Sequence, residues 1–260
     1  MKVRGSVAAA PKSETSATSA SAAPAAAPKR EESISIRAYL VREAEQMTHH
    51  ALSSYTDSAT WRKVVPERRR QFMEMMGLDE LPLYRKRPPL NVTVTGVVER
   101  PKYRIEKLYY ESVPKLFVTA NLYVPNSLSS PAAAVLYVCG HAAKQKSQYQ
   151  QQSRRFAELG FVCLHIETLE GEEMQGTHHG PYEKGWFQWY SRGYTPAAVE
   201  MLNGIRGLDL LVQRPEVDPK RLGVTGISGG GAYSWWIPAG DERVKVCSPV
   251  CGTATLVLRY

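Results

Sequence analysis

The chain has 260 residues, of which 43% are hydrophobic and 22% are charged, and its formal net charge is +8. This length suits one large domain or two small ones and is enough to bury a sizeable core. The composition is that of an ordinary globular protein, which excludes a collagen, a coiled coil and a wholly disordered chain. No apolar stretch approaches the ~20 residues of a membrane-spanning helix, so we expect no membrane partner.

Basic residues cluster in two triplets, Arg68-Arg69-Arg70 and Arg85-Lys86-Arg87. Triplets of this kind can contact phosphates, but no recognisable nucleic-acid-binding motif accompanies them. A solvated helix face and a loop explain them without any partner, and we therefore expect no nucleic-acid partner.

The first 90 residues divide into a tail and a helical segment. Residues 1–32 are rich in Ala, Ser and Pro and contain no aromatic residue, so we expect a disordered tail. Its apolar run is too short for a signal peptide; the sequence predicts export if a signal lies upstream and a cytoplasmic protein otherwise. Within residues 33–90, apolar residues from Ile36 onward recur at helical spacing, and a second helix is expected over residues 66–77, starting at Pro66.

Residues 91–260 are predicted to begin with a β-rich region and to continue as an α/β region. Residues 91–124 alternate apolar and mostly polar side chains, which predicts two or three antiparallel strands. After Pro131, continuous apolar runs alternate with amphipathic segments, and this order predicts a mostly parallel sheet covered by helices on both faces. The predicted strands are 133–139, 161–166, 221–227 and 244–250, and the predicted helices are 148–159, 196–213 and 229–238.

The stretch Gly226-Ile227-Ser228-Gly229-Gly230-Gly231 matches the G-x-S-x-G pattern and lies between a predicted strand and a predicted helix. A nucleophile elbow is a strained strand-to-helix turn in which small neighbours let the chain lift the serine hydroxyl above the sheet. The N-terminal amides of the following helix favour a developing oxyanion. A glycine-rich loop with an incidental serine is the alternative, but the flanking elements favour Ser228 as a nucleophile.

Residues 35–260 resemble the acetyl xylan esterase-like branch of the α/β-hydrolases, which is related to the dienelactone hydrolase and prolyl oligopeptidase groups. The elbow is the most diagnostic stretch. The other matching stretches are Asn121-Leu122-Tyr123-Val124-Pro125, Gly193-Tyr194-Thr195-Pro196-Ala197, Arg214-Pro215-Glu216-Val217-Asp218-Pro219 and Pro249-Val250-Cys251-Gly252. The resemblance implies an α/β-hydrolase three-layer sandwich over residues 91–260, with N-terminal helices and an antiparallel lead-in, and ester hydrolysis through an acyl-enzyme.

The resemblance also implies an oxyanion hole. One donor is the amide of Gly229, directly after the nucleophile, and the other comes from the loop Gly140-His141-Ala142-Ala143 after an earlier strand. We expect this second donor to be the amide of His141 or Ala142, with the His141 side chain lining the pocket. His141 precedes Ser228, whereas the α/β-hydrolase order is serine, acid, histidine, which argues against His141 as the base.

The acid and base of the family have no counterpart in this sequence. All six histidines precede Ser228, and Asp241 and Glu242 lie in the turn before the next predicted strand. We therefore expect a partial hydrolase domain whose C-terminal strands, with the acid and the base, are missing and belong beyond Tyr260. A triad rebuilt with an upstream histidine is the alternative; it is the rarer event because triad geometry is seldom rebuilt within one fold.

The segment that precedes the predicted helix 196–213 carries paired histidines and aromatic residues. Adjacent histidines such as His178 and His179 do not share a helix face, and no third ligand has an obvious spacing, so we expect an active-site loop rather than a metal site. The four cysteines form no CxxC pair, which predicts free, buried thiols and no zinc. Trp186, Trp189 and Tyr190 are the candidate substrate-binding residues because aromatic faces suit sugar rings; a packed lid explains them equally well.

The sequence thus predicts a serine carboxylic-ester hydrolase of acetyl xylan esterase type, without a cofactor, acting on a small-molecule or carbohydrate ester. In this mechanism Ser228 attacks the ester carbonyl, and the loop after the earlier strand supplies the oxyanion donors. A prolyl oligopeptidase-like serine peptidase shares the elbow, and a preference for acetyl esters over aminoacyl amides separates the two. The third hypothesis is a non-catalytic binding remnant of the fold, because this would account for the missing acid and base.

Overall fold

The computed structural model describes residues 35–51, 53, 55–79, 86–142, 144–178 and 184–252. The seven strands within these ranges belong to one sheet. The sheet order is β1-β2-β3-β5-β4-β6-β7. The strands are β1 (Thr93–Glu99), β2 (Tyr103–Val113), β3 (Leu116–Pro125), β4 (Ala132–Val138), β5 (Val162–Ile166), β6 (Val217–Ile227) and β7 (Val244–Val250). The predicted tail, residues 1–32, lies outside the described residues.

The strand directions separate a lead-in from a parallel half. β1, β2 and β3 pair antiparallel to one another, and β3 is antiparallel to β5. β5, β4, β6 and β7 pair in parallel. The predicted change from antiparallel to parallel strands after Pro131 is confirmed, and the three lead-in strands agree with the predicted two or three.

Seven helices lie within the described ranges. They are α1 (Ile36–His50), α2 (Ser58–Met75), α3 (Gln145–Gln148), α4 (Gln150–Glu158), α5 (Gln188–Ser191), α6 (Pro196–Val212) and α7 (Gly229–Gly240). None of these combines the length and the hydropathy that crossing a bilayer requires. The predicted cap of α6 is confirmed, since the Thr195 side chain accepts a hydrogen bond from the amide of Ala198 at 3.0 Å.

The second N-terminal helix begins at Ser58, and the predicted start at Pro66 is wrong. The Asp57 carboxylate caps the helix by accepting a hydrogen bond from the amide of Thr60 at 2.7 Å. This cap satisfies an amide that the first turn otherwise leaves unpaired, and it thereby favours the longer helix. Pro66 therefore lies inside α2, and Met73 near its end is buried against the domain.

Apolar side chains on the two faces of the sheet form two separate clusters, which makes the domain three-layered. The larger cluster joins the sheet to α2, α6 and α7, and α6 is buried along nearly its whole length. The smaller cluster lies beneath α4 and includes Tyr137 and Cys163. Cys139 and Cys163 are buried as predicted, but Cys247 and Cys251 are exposed because β7 borders the described sheet.

A buried carboxylate, Asp209 of α6, ties the layers together. It accepts hydrogen bonds from Arg206 and Arg87, and its Oδ1 lies 2.8 Å from Nη1 of Arg243. Arg206 also donates to the carbonyl oxygens of Ser112, at 3.1 Å, and Pro88. Asp209 and Arg206 together thereby link the segment before β1, strand β2, helix α6 and the turn after α7.

Replacing Asp209 by Asn should lower the free energy of unfolding by about 3–5 kcal/mol, because the change leaves buried guanidinium groups without their counter-charge. The matched control is Glu74→Gln, which removes an exposed carboxylate that pairs with Arg70 at 3.0 Å and should cost at most about 0.5 kcal/mol. Urea unfolding at pH 7 measures both variants. Equal midpoints for the two would show that the Asp209 cluster contributes no more than a surface pair.

Candidate active site

Ser228 lies between the end of β6 and the first residue of α7 in a strained backbone conformation. Its φ is 59° and its ψ is −119°, a region that non-glycine residues rarely adopt. Its amide donates a hydrogen bond to the carbonyl of Val250 at 2.8 Å, which ties the turn to the end of β7. The Ser228 side chain is exposed and makes no capping hydrogen bond to α7. The serine is therefore presented above the sheet as an elbow requires.

The glycines around Ser228 are needed because other backbone segments occupy the space of a side chain. A Cβ on Gly226 would lie 2.2 Å from the carbonyl oxygen of Val138, and a Cβ on Gly230 would lie 2.1 Å from the same atom. A Cβ on Gly231 would lie 2.2 Å from the carbonyl oxygen of Val250. The ends of β4, β6 and β7 thus converge on the elbow at contact distance.

The loop after β4 lies directly against the serine. A Cβ on Gly140 would lie 3.2 Å from Cβ of Ser228 and 2.5 Å from the carbonyl oxygen of Ile227. The ring of His141 covers the first residue of α7, since a Cβ on Gly229 would lie 2.7 Å from Cε1 of His141. The structure therefore brings together Ser228, Gly229 and His141.

Comparison with solved structures identifies this arrangement of sheet, elbow and flanking helices. A "putative acetyl xylan esterase" from Bacteroides fragilis NCTC 9343 superposes with a TM-score of 0.65 at 14% identity, covering 84% of this chain and 60% of that one. "Methylesterase BT1017" superposes with a TM-score of 0.64 at 22% identity, covering 82% and 46%. This chain has the α/β-hydrolase fold. The fold that the sequence resemblance implied is confirmed.

One curated protein supports the relationship at the level of sequence. "Putative hydrolase YtaP" of Bacillus subtilis (strain 168) is 26% identical over 202 residues, which cover 71% of this chain and 63% of that protein. No family model matches the sequence. The chain spans less than two thirds of the length of each of these relatives.

A buried ion pair in this α/β-hydrolase domain holds the loop that follows β5. Glu167 accepts hydrogen bonds from Nζ of Lys146, at 2.6 Å, from Oγ1 of Thr119 and from the amide of Glu173, at 2.6 Å. Burial acts to raise the pKa of Glu167, but the hydrogen bonds from Lys146 and Thr119 outweigh it and hold this pKa below its usual value. The start of the loop is therefore anchored to β3 and α3.

The same loop carries His178, and the structure pairs it with a carboxylate that sequence reasoning missed. Nδ1 of His178 lies 3.0 Å from Oε1 of Glu200, which is 3% exposed. An acidic residue in the otherwise apolar first half of α6 is the signal that could have drawn attention to Glu200. His179 lies outside the described residues. Within the described ranges, no group of three or more His, Cys, Asp and Glu side chains is arranged to hold a metal ion.

The candidate substrate-binding aromatic residues have unequal environments. Trp186 and Tyr190 are exposed. Nζ of Lys184 lies 4.9 Å from the centre of the Trp186 ring, within the range of a cation–π contact. Trp189 instead packs against the main core, and its indole donates a hydrogen bond to the carbonyl of Thr177 at 3.1 Å. Trp189 therefore holds the loop in place, as the packed-lid alternative expects.

Behind the loop after β4, His165 is fully buried. Its Nε2 lies 2.8 Å from Sγ of Cys139, and its Nδ1 lies 3.0 Å from Oγ of Ser153. Burial, assisted by the charge of Lys146, lowers the pKa of His165 to about 3. Burial also raises the pKa of the Cys139 thiol. Both groups are therefore neutral near pH 7, and they support the loop from the interior rather than acting on substrate.

Gly230→Ala should destabilise the protein by about 3 kcal/mol, because the new Cβ meets the carbonyl oxygens of Val138 and Cys139, which are backbone atoms. The clash outweighs the gain of about 1 kcal/mol that alanine brings to a helix. Gly223→Ala is the matched control, since its Cβ would lie 3.5 Å from the nearest atom. Urea unfolding compares the two; a wild-type midpoint for Gly230→Ala would contradict the packing described.

The buried His165 predicts a specific loss of stability in acid. Its folded-state pKa is lowered, so its contribution is complete above the unfolded value of 6.5 and is lost as the pH falls toward 3. Between pH 6.5 and 4.5 it should add a slope of up to about 1.4 kcal/mol per pH unit to the free energy of unfolding. Urea midpoints over this range should show a shallower slope for His165→Gln than for the wild type. Equal slopes for wild type and His165→Gln would contradict the assignment.

Proposed function

We propose that this chain carries the nucleophile and the oxyanion hole of a serine carboxylic-ester hydrolase of acetyl xylan esterase type. The strained, exposed Ser228 at the head of α7 is the observation that carries the proposal. The esterase names of the structural neighbours and the hydrolase name of the curated relative support it. The substrate class proposed is a small-molecule or carbohydrate ester.

In the proposed reaction, Oγ of Ser228 attacks the ester carbonyl carbon and the hydroxyl proton leaves to a base. The C–O bond to the alcohol then breaks, the alcohol takes up a proton, and an acyl-serine remains for water to hydrolyse. In this proposal the oxyanion is stabilised by the amide of Gly229, directly after the serine, and by that of His141 or Ala142 in the loop after β4.

The proton acceptor for Ser228 stays a prediction. All six histidines of the sequence precede Ser228, so none follows the usual order of serine, acid and histidine. Within the described residues, the imidazole ring of His141 contacts Gly229, the first residue of α7. A serine hydroxyl without a base is a weak nucleophile, so the rate of acyl transfer reports directly on whether a base reaches Ser228.

Ser228→Ala should reduce p-nitrophenyl acetate hydrolysis by at least about 10²-fold, to the rate of an inert protein, because no acyl-enzyme can form. Ser147→Ala, which changes an exposed serine of α3, is the matched control and should keep the wild-type rate. Mass spectrometry of quenched reactions should find the acetyl group on the peptide that contains Ser228. A p-nitroanilide of an amino acid, tested in parallel, separates an esterase from a peptidase.

Equal rates for wild type and Ser228→Ala would overturn the proposal for this chain and favour a non-catalytic binding role. Faster cleavage of the anilide than of the ester would overturn the esterase assignment while keeping Ser228 as the nucleophile.

A further inference from the structure

Glu200 is a buried carboxylate placed at the edge of the candidate active site. It lies in the first half of α6, and its Oε1 accepts a hydrogen bond from the amide of Leu169 at 3.1 Å. Its Oε2 is buried and has no hydrogen-bond partner among the described residues. Burying a carboxylate costs free energy unless a counter-charge or donors compensate for the lost water. Burying Glu200 therefore opposes folding unless its contacts compensate. The ionisable side chain that faces it is His178.

His178 is held from two sides. Its Nδ1 lies 3.0 Å from Oε1 of Glu200, and its backbone amide donates to Oε2 of Glu170 at 2.7 Å. An ionised carboxylate only accepts hydrogen bonds, so a pairing with ionised Glu200 would require the proton on Nδ1 and leave Nε2 of a neutral ring without one. The contact with Glu200 orients the ring.

The His178 ring meets the His141 ring edge to face. The two ring centres are 4.7 Å apart and the planes are inclined by 62°. The His141 ring in turn covers Gly229, at the first position of α7. A continuous line of contacts runs from the buried Glu200 through both rings to the residue next to the nucleophile. His141 is exposed, so surrounding core side chains do not hold its ring in place. The contact with the His178 ring is a restraint on its position.

We propose that Glu200 and His178 are positioning residues that hold His141, and with it the oxyanion loop, against the head of α7. This inference rests on the proposed esterase function, since it assigns the loop its role there. The pair acts through His141 and does not touch the substrate. Displacing oxyanion donors by about 1 Å is enough to slow acyl transfer by up to about 10²-fold while ground-state binding changes little.

The test compares three substitutions with a control on the same loop. Glu200→Ala and His178→Ala remove the support. Glu200→Gln keeps an amide oxygen that can accept from Nδ1 of His178. Glu173→Ala is the control, because it removes an exposed carboxylate that pairs with Lys146 at the other end of the loop. Circular dichroism and urea unfolding of each full-length variant identify any that fails to fold.

With p-nitrophenyl acetate, Glu200→Ala and His178→Ala should lower kcat by on the order of 10- to 100-fold at nearly constant KM. Glu200→Gln should recover most of the lost rate, and Glu173→Ala should match the wild type. Wild-type kcat in folded His178→Ala would overturn the proposal. A Glu200→Gln variant as slow as Glu200→Ala would also overturn it, since the charge rather than the position would then matter.

Nitrogen-15 NMR of histidine-labelled protein tests the positioning without turnover. The wild type should show His178 protonated at Nδ1, and His178→Ala and Glu200→Ala should both shift the His141 ring signals while Glu173→Ala leaves them in place. Unmoved His141 signals would overturn the proposal. If the wild type shows no Ser228-dependent turnover, the proposed function fails by itself, and these spectra decide whether the pair positions His141.

Discussion

The candidate site depends on one packing constraint, the contact of glycine backbones with the carbonyl oxygens at the ends of neighbouring strands. Gly226 and Gly230 leave no room for a Cβ beside Val138, and Gly231 leaves none beside Val250. Because the backbones touch, the elbow cannot relax away from its strained conformation without separating β4, β6 and β7. The strain at Ser228 is thus maintained by three of the four parallel strands, β4, β6 and β7.

Buried ion pairs add polar links at two other places in the domain. Asp209 joins three arginines from separate segments, and Lys146 with Glu167 anchors the loop after β5. Charges of this kind are costly to bury unless every partner is in place. They therefore specify one arrangement of loop and helix strongly, even where their net contribution to stability is small.

Three histidines show how environment separates residues of the same type. His165 is buried between a thiol and a hydroxyl and stays neutral. His178 is half-buried and paired with a carboxylate, and His141 is exposed beside the elbow. Their order in the chain excludes the usual triad order for all three, but it does not distinguish support from a site contact. Burial and hydrogen-bond partners make that distinction, because they set protonation and access.

Local sequence patterns predicted most of the elements, the change to parallel strands after Pro131 and the strand-to-helix turn at Ser228, because turn chemistry and hydrophobic periodicity are local properties. They misplaced the start of α2, which begins after the Asp57 cap and not at Pro66. That Glu200 faces His178 and that His141 covers Gly229 depends on the folded chain. These partners are far apart in sequence, and they meet because β4 lies between β5 and β6 in the sheet, an order that no local pattern contains.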